Sequence, residues 1–256
     1  MASKVPKMHV LIVGGGIGGL MLGLMLERAG IDYQILERSP ELRPLGSAIS
    51  LNGTVLRLFE QLGLLEDLLK ISKAAGRLHL VKEDLETQGH IDLEHFRERY
   101  GYHSIVFGRP DFFQMLISHI PAKKILMGKR ILSSSQTELG VIVRCSDGSA
   151  YHGDILVGAD GAHSSIRQCM HKTLKEQGLL PKSDSEKLKF DQNCVVGITN
   201  ELDPEKFPIL KEELCELYGV IGKKNPYTVS LRTSLHYRIL FASLHSWTRY
   251  LLDCFG

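Results

Sequence analysis

The sequence predicts an α/β fold that opens on a strand–turn–helix–strand unit and continues into a second, incomplete α+β part. Three observations carry this. Residues 8–13 (MHVLIV), apolar but for His9, form a run of the kind that buried parallel strands show. Gly14-x-Gly16-x-x-Gly19 follows at once, a cluster suited to a tight turn. A helical pattern and a second apolar run, Tyr33 to Leu36, come within about thirty residues, the compact spacing of a βαβ unit.

The first strand is Met8 to Val13. From Ile17 to Ala29, Leu20, Met21, Leu24 and Met25 share one face and Gly30 supplies a stop, which predicts a helix. Tyr33 to Leu36 is the second strand and ends at Glu37. Residues 53–71 read as helix, interrupted near Gly63. Strands are expected at Arg77 to Lys82, His90 to Leu93 and Ser104 to Phe107. Pro110 at a first helical position opens a helix over Asp111 to Ile120. Lys124 to Ser133, Gly140 to Cys145 and Asp154 to Gly158 alternate as strands, with Ser146-Asp147-Gly148 as a hairpin turn between the last two. Ser164 caps a helix to about Met170.

The polar stretch Leu179 to Lys187 reads as a loop or domain junction. Beyond it are expected a strand at Cys194 to Ile198, a helix at Pro204 to Tyr218 and a strand near Tyr227 to Leu231. Residues 232–256 carry no clear capping or turn signal, and no element is assigned to them. The domains expected are 8–178 and 188–256, with the strands around 77–107 open to assignment to the second domain's sheet.

At 256 residues the chain has room for one large α/β domain or two modest ones. A hydrophobic fraction of 43% with 23% charged residues excludes a disordered chain. A formal net charge of +2 gives no basis for a nucleic-acid partner or an anionic membrane surface. The cysteines Cys145, Cys169, Cys194, Cys215 and Cys254 are odd in number and share no metal-ligand spacing. No disulfide framework and no metal site are therefore expected, and a reducing compartment, the cytoplasm, fits. Val10 to Leu26 is uncharged and follows Lys4 and Lys7, as a signal peptide or membrane span would. It is short of the ~20 apolar residues a span needs. It has no small-x-small cleavage site before Glu27, and its glycines would each cost a helix about 1 kcal/mol. No membrane segment is expected in this chain, while attachment through a further C-terminal part stays open.

The glycines divide the labour of a Rossmann-type dinucleotide site. Gly14 permits the turn, Gly16 lets a pyrophosphate approach the backbone, and Gly19 lets helix pack on strand. Unpaired N–H groups and the positive end of the helix dipole would hold the phosphates. Glu37, eighteen residues past Gly19, stands where an acid accepts both ribose hydroxyls of an adenosine. Its charge repels a 2′-phosphate, so these residues point to bound FAD or NAD and away from NADP. A solvated strand-end glutamate is the bland alternative.

Three motifs, in order, resemble the flavin-dependent aromatic-ring hydroxylase family, typified by para-hydroxybenzoate hydroxylase. They are VLIVGGGIGGL with Glu37-Arg38, FGRPDF at 107–112, and DILVGADGAHSSIR at 154–167. Residues 43–64 (RPLGSAISLNGTVLRLFEQLGL) resemble the family's flavin-side loop and the helix after it. The resemblance covers about Met8 to Arg167 and is closer still to fungal secondary-metabolite epoxidases and hydroxylases acting on prenylated indoles and meroterpenoids.

The resemblance implies a flavoprotein that binds FAD, consumes NADPH and inserts one oxygen atom of O₂ into an aromatic or prenylated small molecule, by hydroxylation or epoxidation. Another FAD-dependent oxidoreductase, such as a prenyl reductase, and a non-catalytic truncated FAD-binding fragment are the alternatives. On the adenosine side it implies Gly14, Gly16, Gly19, Glu37 and Arg38 as cofactor-binding residues. It adds Arg109 toward the phosphates or the adenine, and Gly46, Ser50, Asp160 and Gly161 nearer the flavin. Ser50 stands where relatives often have glycine, which adds bulk beside the ribityl chain. Arg109 opens a helix from which its guanidinium can reach the cofactor. Asp160 is expected to accept from a ribose or from backbone N–H groups. Arg167 reads equally as its ion-pair partner or as a helix-face arginine. His103 and His163 read as structural, and Tyr218 as a catalytic candidate in the substrate region.

The family carries a further Gly-Asp pair that opens a helix and binds the ribityl chain. No such pair follows Asp160, and Gly153-Asp154 precedes it. The expectation is the adenosine half of an FAD site with the beginning of a substrate domain, a chain that does not complete oxygen transfer by itself.

Overall fold

The computed structural model describes residues 8–41, 48–82, 84, 86–186, 193–221, 228–233 and 239–245. The chain begins with β1 (His9–Val13), α1 (Ile17–Arg28), β2 (Asp32–Leu36), β3 (Ala48–Leu51), α2 (Gly53–Leu62) and α3 (Leu65–Lys70). β4 (Ser72–Val81), β5 (Thr87–Asp92), α4 (His95–Tyr100), β6 (Ile105–Gly108) and α5 (Arg109–Ser118) follow. Next are β7 (Ile125–Leu126), β8 (Ile131–Thr137), β9 (Gly140–Cys145), β10 (Ala150–Gly153), β11 (Ile155–Gly158) and α6 (Ser165–Glu176). The last strands are β12 (Asn193–Ile198), β13 (Cys215–Ile221), β14 (Thr228–Thr233) and β15 (Ile239–His245). Contacts divide the chain into two units, 1–43 with 115–188 and 44–114 with 189–256. Residues 77–107 fall in the second unit.

The first unit is of the α/β type. Its parallel sheet runs β11-β1-β2-β7, and a second, antiparallel sheet runs β10-β9-β8. β1 is apolar and buried from Val10 to Val13 because both of its faces are covered. Leu11 and Val13 cluster with Leu36, Ile131, Val143 and Cys145. Toward α1, Ile12 is fully buried, as is Leu20 on the helix. The helix comes close enough that a Cβ on Gly23 would meet Ile35 at 3.0 Å and Tyr33 at 3.1 Å. Each fully buried Leu or Ile here contributes roughly 1.5–3 kcal/mol.

One expected strand and one expected hairpin are corrected in this unit. The run Lys124 to Ser133 is broken by a turn at Gly128, whose φ of 72° ends β7 before β8 begins. The turn at Ser146-Asp147-Gly148 joins β9 to β10, not to Ile155–Gly158; β11 instead pairs parallel with β1. Gly153 makes the change of sheet possible, since a Cβ there would meet Leu11 Cγ at 2.8 Å. α6 runs on past Met170 to Glu176, starting from Ser164 as expected.

The second unit is built on an eight-stranded sheet, β12-β15-β14-β13-β4-β6-β3, with β5 paired to β4. The helix expected at Pro204 to Tyr218 is absent. Pro208–Lys211 forms a short 3-10 turn and Cys215–Ile221 is β13. Leu, Glu and Lys favour helix locally, but pairing on both edges prevails: β13 lies parallel to β4 and antiparallel to β14. Its alternate residues Cys215 and Leu217 are buried with Ala75 and Val106. The strand expected near 227–231 begins at Thr228; Tyr227 lies outside the described residues. In the unassigned tail, β15 is described and residues 246–256 are not. Among the described residues no helix is long and apolar enough to cross a membrane.

Candidate functional site

The loop from β1 to α1 is wedged between the ends of two strands. Gly14 N–H donates to Leu36 O at 2.9 Å, and Ala159 N–H donates to Val13 O at 2.7 Å. Gly14 has a φ of 111°, and a Cβ there would overlap the Ala159 carbonyl. A Cβ on Gly19 would overlap Gly14 O, so this glycine sets the closeness of α1 to the turn. Gly16 is the opposite case: a Cβ there would meet nothing within 4 Å. It is the N-cap of α1 and no side chain caps the helix, which leaves the first-turn N–H groups and the positive dipole end presented to an anion.

A cleft of about 490 Å³ opens beside this helix end, lined by Gly14, Gly16, Glu37, Arg38, Asp160 and Gly161 among others. Six predicted site residues are therefore brought together. Glu37 is half-buried and accepts from Gly15 N–H at 2.6 Å and from Ser39 N–H at 2.8 Å. These bonds fix the carboxylate between the glycine loop and the end of β2. Arg38 is exposed at the rim.

One wall of the cleft went unassigned by sequence. Lys129, Arg130 and Ile131 line it, held to the end of β2 by Lys129 N–H to Glu37 O at 2.7 Å and Gly128 N–H to Ser39 O at 2.9 Å. The Gly128 turn after an apolar strand is the signal that marks this segment. Lys129 Nζ donates to Asp147 Oδ2 at 2.6 Å, which raises the lysine and holds the aspartate well below the usual carboxylate range. His163, read as structural, also lines the cleft.

Asp160 works at the start of α6. Its carboxylate accepts from Ser164 Oγ and Ser165 N–H, both at 2.5 Å, and Ser164 Oγ accepts from Arg167 N–H at 2.9 Å. The Ser165 N–H is a backbone donor, one of the two kinds expected for Asp160. The Arg167 guanidinium donates to the Ala162 carbonyl, which ties it across the Asp-Gly turn.

Ser50 is on β3 opposite Val106, and half-buried Arg109 begins α5; both belong to the second unit. Gly46 lies outside the described residues. His103 Nδ1 is buried and has no hydrogen-bond partner among the described residues. Tyr218 sits on β13, stacked on His79.

Known proteins similar to this chain show its family. The profile of a family described as "FAD binding domain" matches residues 7–201. The chain belongs to the FAD-binding-domain family. Similar to it are the FAD-dependent monooxygenases ausM of Penicillium brasilianum and pyr5 of Aspergillus fumigatus. The first is 35% identical over 200 residues, which are 77% of this chain and 42% of that protein. The second is 34% identical over 202 residues, 77% of this chain and 43% of that protein. The match thus spans less than half the length of these relatives. Among solved structures, Klebsiella pneumoniae HpxO complexed with FAD and uric acid shares the fold, with a TM-score of 0.76 at 23% identity over 95% of this chain and 58% of that chain.

The cleft's donor and acceptor set fits the adenosine diphosphate part of FAD. An uncapped helix end supplies N–H donors, the bare Gly16 leaves room for close approach, and Glu37 supplies an acceptor.

Proposed function

We propose that this chain provides the FAD site of an NADPH-consuming monooxygenase that places one oxygen atom of O₂ into an aromatic or prenylated small molecule, by hydroxylation or epoxidation. The observation that carries the reading is the run of relatives named as FAD-dependent monooxygenases, 30–35% identical over about 200 residues of this chain. Bound FAD would supply the redox chemistry with O₂. The chain's own residues bind and orient it. The first turn of α1, with Gly14, Gly16 and Gly19 shaping it, would hold the pyrophosphate. Glu37 would accept the ribose hydroxyls on the lone pairs left beside its two backbone bonds. Lys129 to Ile131 and Arg38 would flank the adenosine, and Asp160 and Gly161 would fix the turn that closes the cleft. Gly46 and Ser50 are assigned to the flavin side on the resemblance, and Arg109 to the phosphate or adenine side.

The test is a paired measurement of NADPH and O₂ consumption by the purified chain with FAD, in ¹⁸O₂, with a prenylated indole or phenol as acceptor. The reading predicts that NADPH loss is matched by O₂ loss, with label in hydrogen peroxide or in product. Reduction of the acceptor's double bond without O₂ uptake would replace it with a reductase. Tight FAD binding with no NADPH oxidation would reduce the chain to an FAD-binding module.

A further inference from the structure

The second unit's sheet uses one face of β13 for its core, through Cys215 and Leu217. Side chains alternate across a strand, so Glu216 and Tyr218 fall on the other face. Register places Tyr218 opposite His79 of β4, and His79 opposite His90 of β5. Three rings thus stand in a row across three neighbouring strands. Tyr218 stacks on His79 with centroids 4.9 Å apart and planes 17° from parallel, and His90 lies at 6.3 Å from His79. Glu216 Oε2 is 2.6 Å from His79 Nε2. Arg77 and Asp92, opposite one another two residues along β4 and β5, are further charges on this face.

His79 and Glu216 are 22% and 21% exposed, open enough for a ligand to reach and buried enough to limit screening by water. Ring neighbours stand on either side of the imidazole and Nε2 is engaged. Nδ1 is then the polar position left, and among the described residues it has no hydrogen-bond partner. A carboxylate on one ring nitrogen fixes the tautomer, leaves the other nitrogen as acceptor and stabilises the imidazolium that forms. A stacked phenol ring favours the same cation. Burial and the Glu216 charge push the Tyr218 phenol up, so it stays protonated and serves as a wall of the site.

We propose that His79 is a proton-accepting residue for a planar ligand carrying an acidic hydroxyl, with Glu216 as its positioning residue. The ligand class, an aromatic, rests on the oxygenase reading above. In the step itself the ligand O–H breaks, N–H forms at Nδ1, the electron pair stays on the ligand oxygen, and the imidazolium is held against the Glu216 carboxylate.

The test uses the full chain and 4-nitrophenol, without flavin or NADPH, so a failed FAD titration leaves it intact. Phenolate absorbance of the bound probe is followed against pH, together with the His79 ring signals by NMR. The proposal predicts that binding raises the probe's acid dissociation constant on the order of tenfold, about one pH unit. His79→Gln should keep the binding and abolish the shift. Glu216→Gln should keep the binding and return the half-ionisation pH part of the way. Circular dichroism checks both folds, and if His79→Gln is unfolded the Glu216→Gln profile and the His79 signals decide. A shift that persists in His79→Gln, an unchanged profile in Glu216→Gln, or saturation that leaves the His79 signals unmoved would overturn the proposal, as would absence of binding.

Discussion

On the proposed function, Glu37 serves two roles with one carboxylate. Two of its roughly four lone-pair directions are taken by the N–H groups of Gly15 and Ser39. Glu37 lines the cleft, where a ribose would donate to the others. Glu37→Ala should weaken FAD binding by about 1.5–3 kcal/mol, roughly ten- to a hundredfold, from the loss of charge-assisted hydrogen bonds. Fluorescence titration measures it, and an unchanged Kd would remove Glu37 from the ribose. Gly19 makes a prediction about stability instead. An added methyl there overlaps Gly14 O, so Gly19→Ala should cost about 1–3 kcal/mol in urea unfolding. An unshifted midpoint would mean that α1 does not rest on the turn. Among the thiols, burial raises Cys145, while Cys169 is partly exposed. Brief iodoacetamide treatment followed by peptide mapping should label Cys169 well ahead of Cys145; equal labelling would contradict the packing of the first core.

At the scale of elements, α6 is the clearest case of a helix whose start is written in its side chains. Ser164 is buried and accepts from Arg167 N–H, and Asp160 adds acceptors for Ser165 N–H and Ile166 N–H. Ser164→Ala should therefore destabilise the chain by about 1 kcal/mol, read from the denaturation midpoint. A neutral result would show the cap to be replaceable by water. This cap was legible because a serine side chain reaches only its own neighbours. The same holds for β1, α1 and β2, whose apolar runs and glycine turn are local signals. β10 and β13 were not legible. Ala150–Gly153 has no apolar run of its own and exists through its ladder with β9. The Leu, Glu and Lys of residues 210–214 extend a helical pattern up to Cys215–Ile221, which is a strand with β4 and β14 paired on either edge. Such information lies in partners distant in sequence, and local propensity cannot report it.

For the whole molecule, the fold class and the glycine end of the cleft followed from the sequence, while the opposite wall did not. Lys129 to Ile131 reach the cleft because residues 126–129 pair with the end of β2 across nearly ninety residues of chain. The central claim is that this cleft, with its uncapped helix end and its fixed glutamate, is an FAD site. The measurement that tests it most directly is titration of the purified chain with FAD, followed by flavin fluorescence and by the visible spectrum of the protein after gel filtration. The account predicts saturable binding of one FAD per chain, with the flavin spectrum retained on the protein and tighter binding of FAD than of NAD. Failure to saturate with FAD, or preferential binding of NAD, would contradict it.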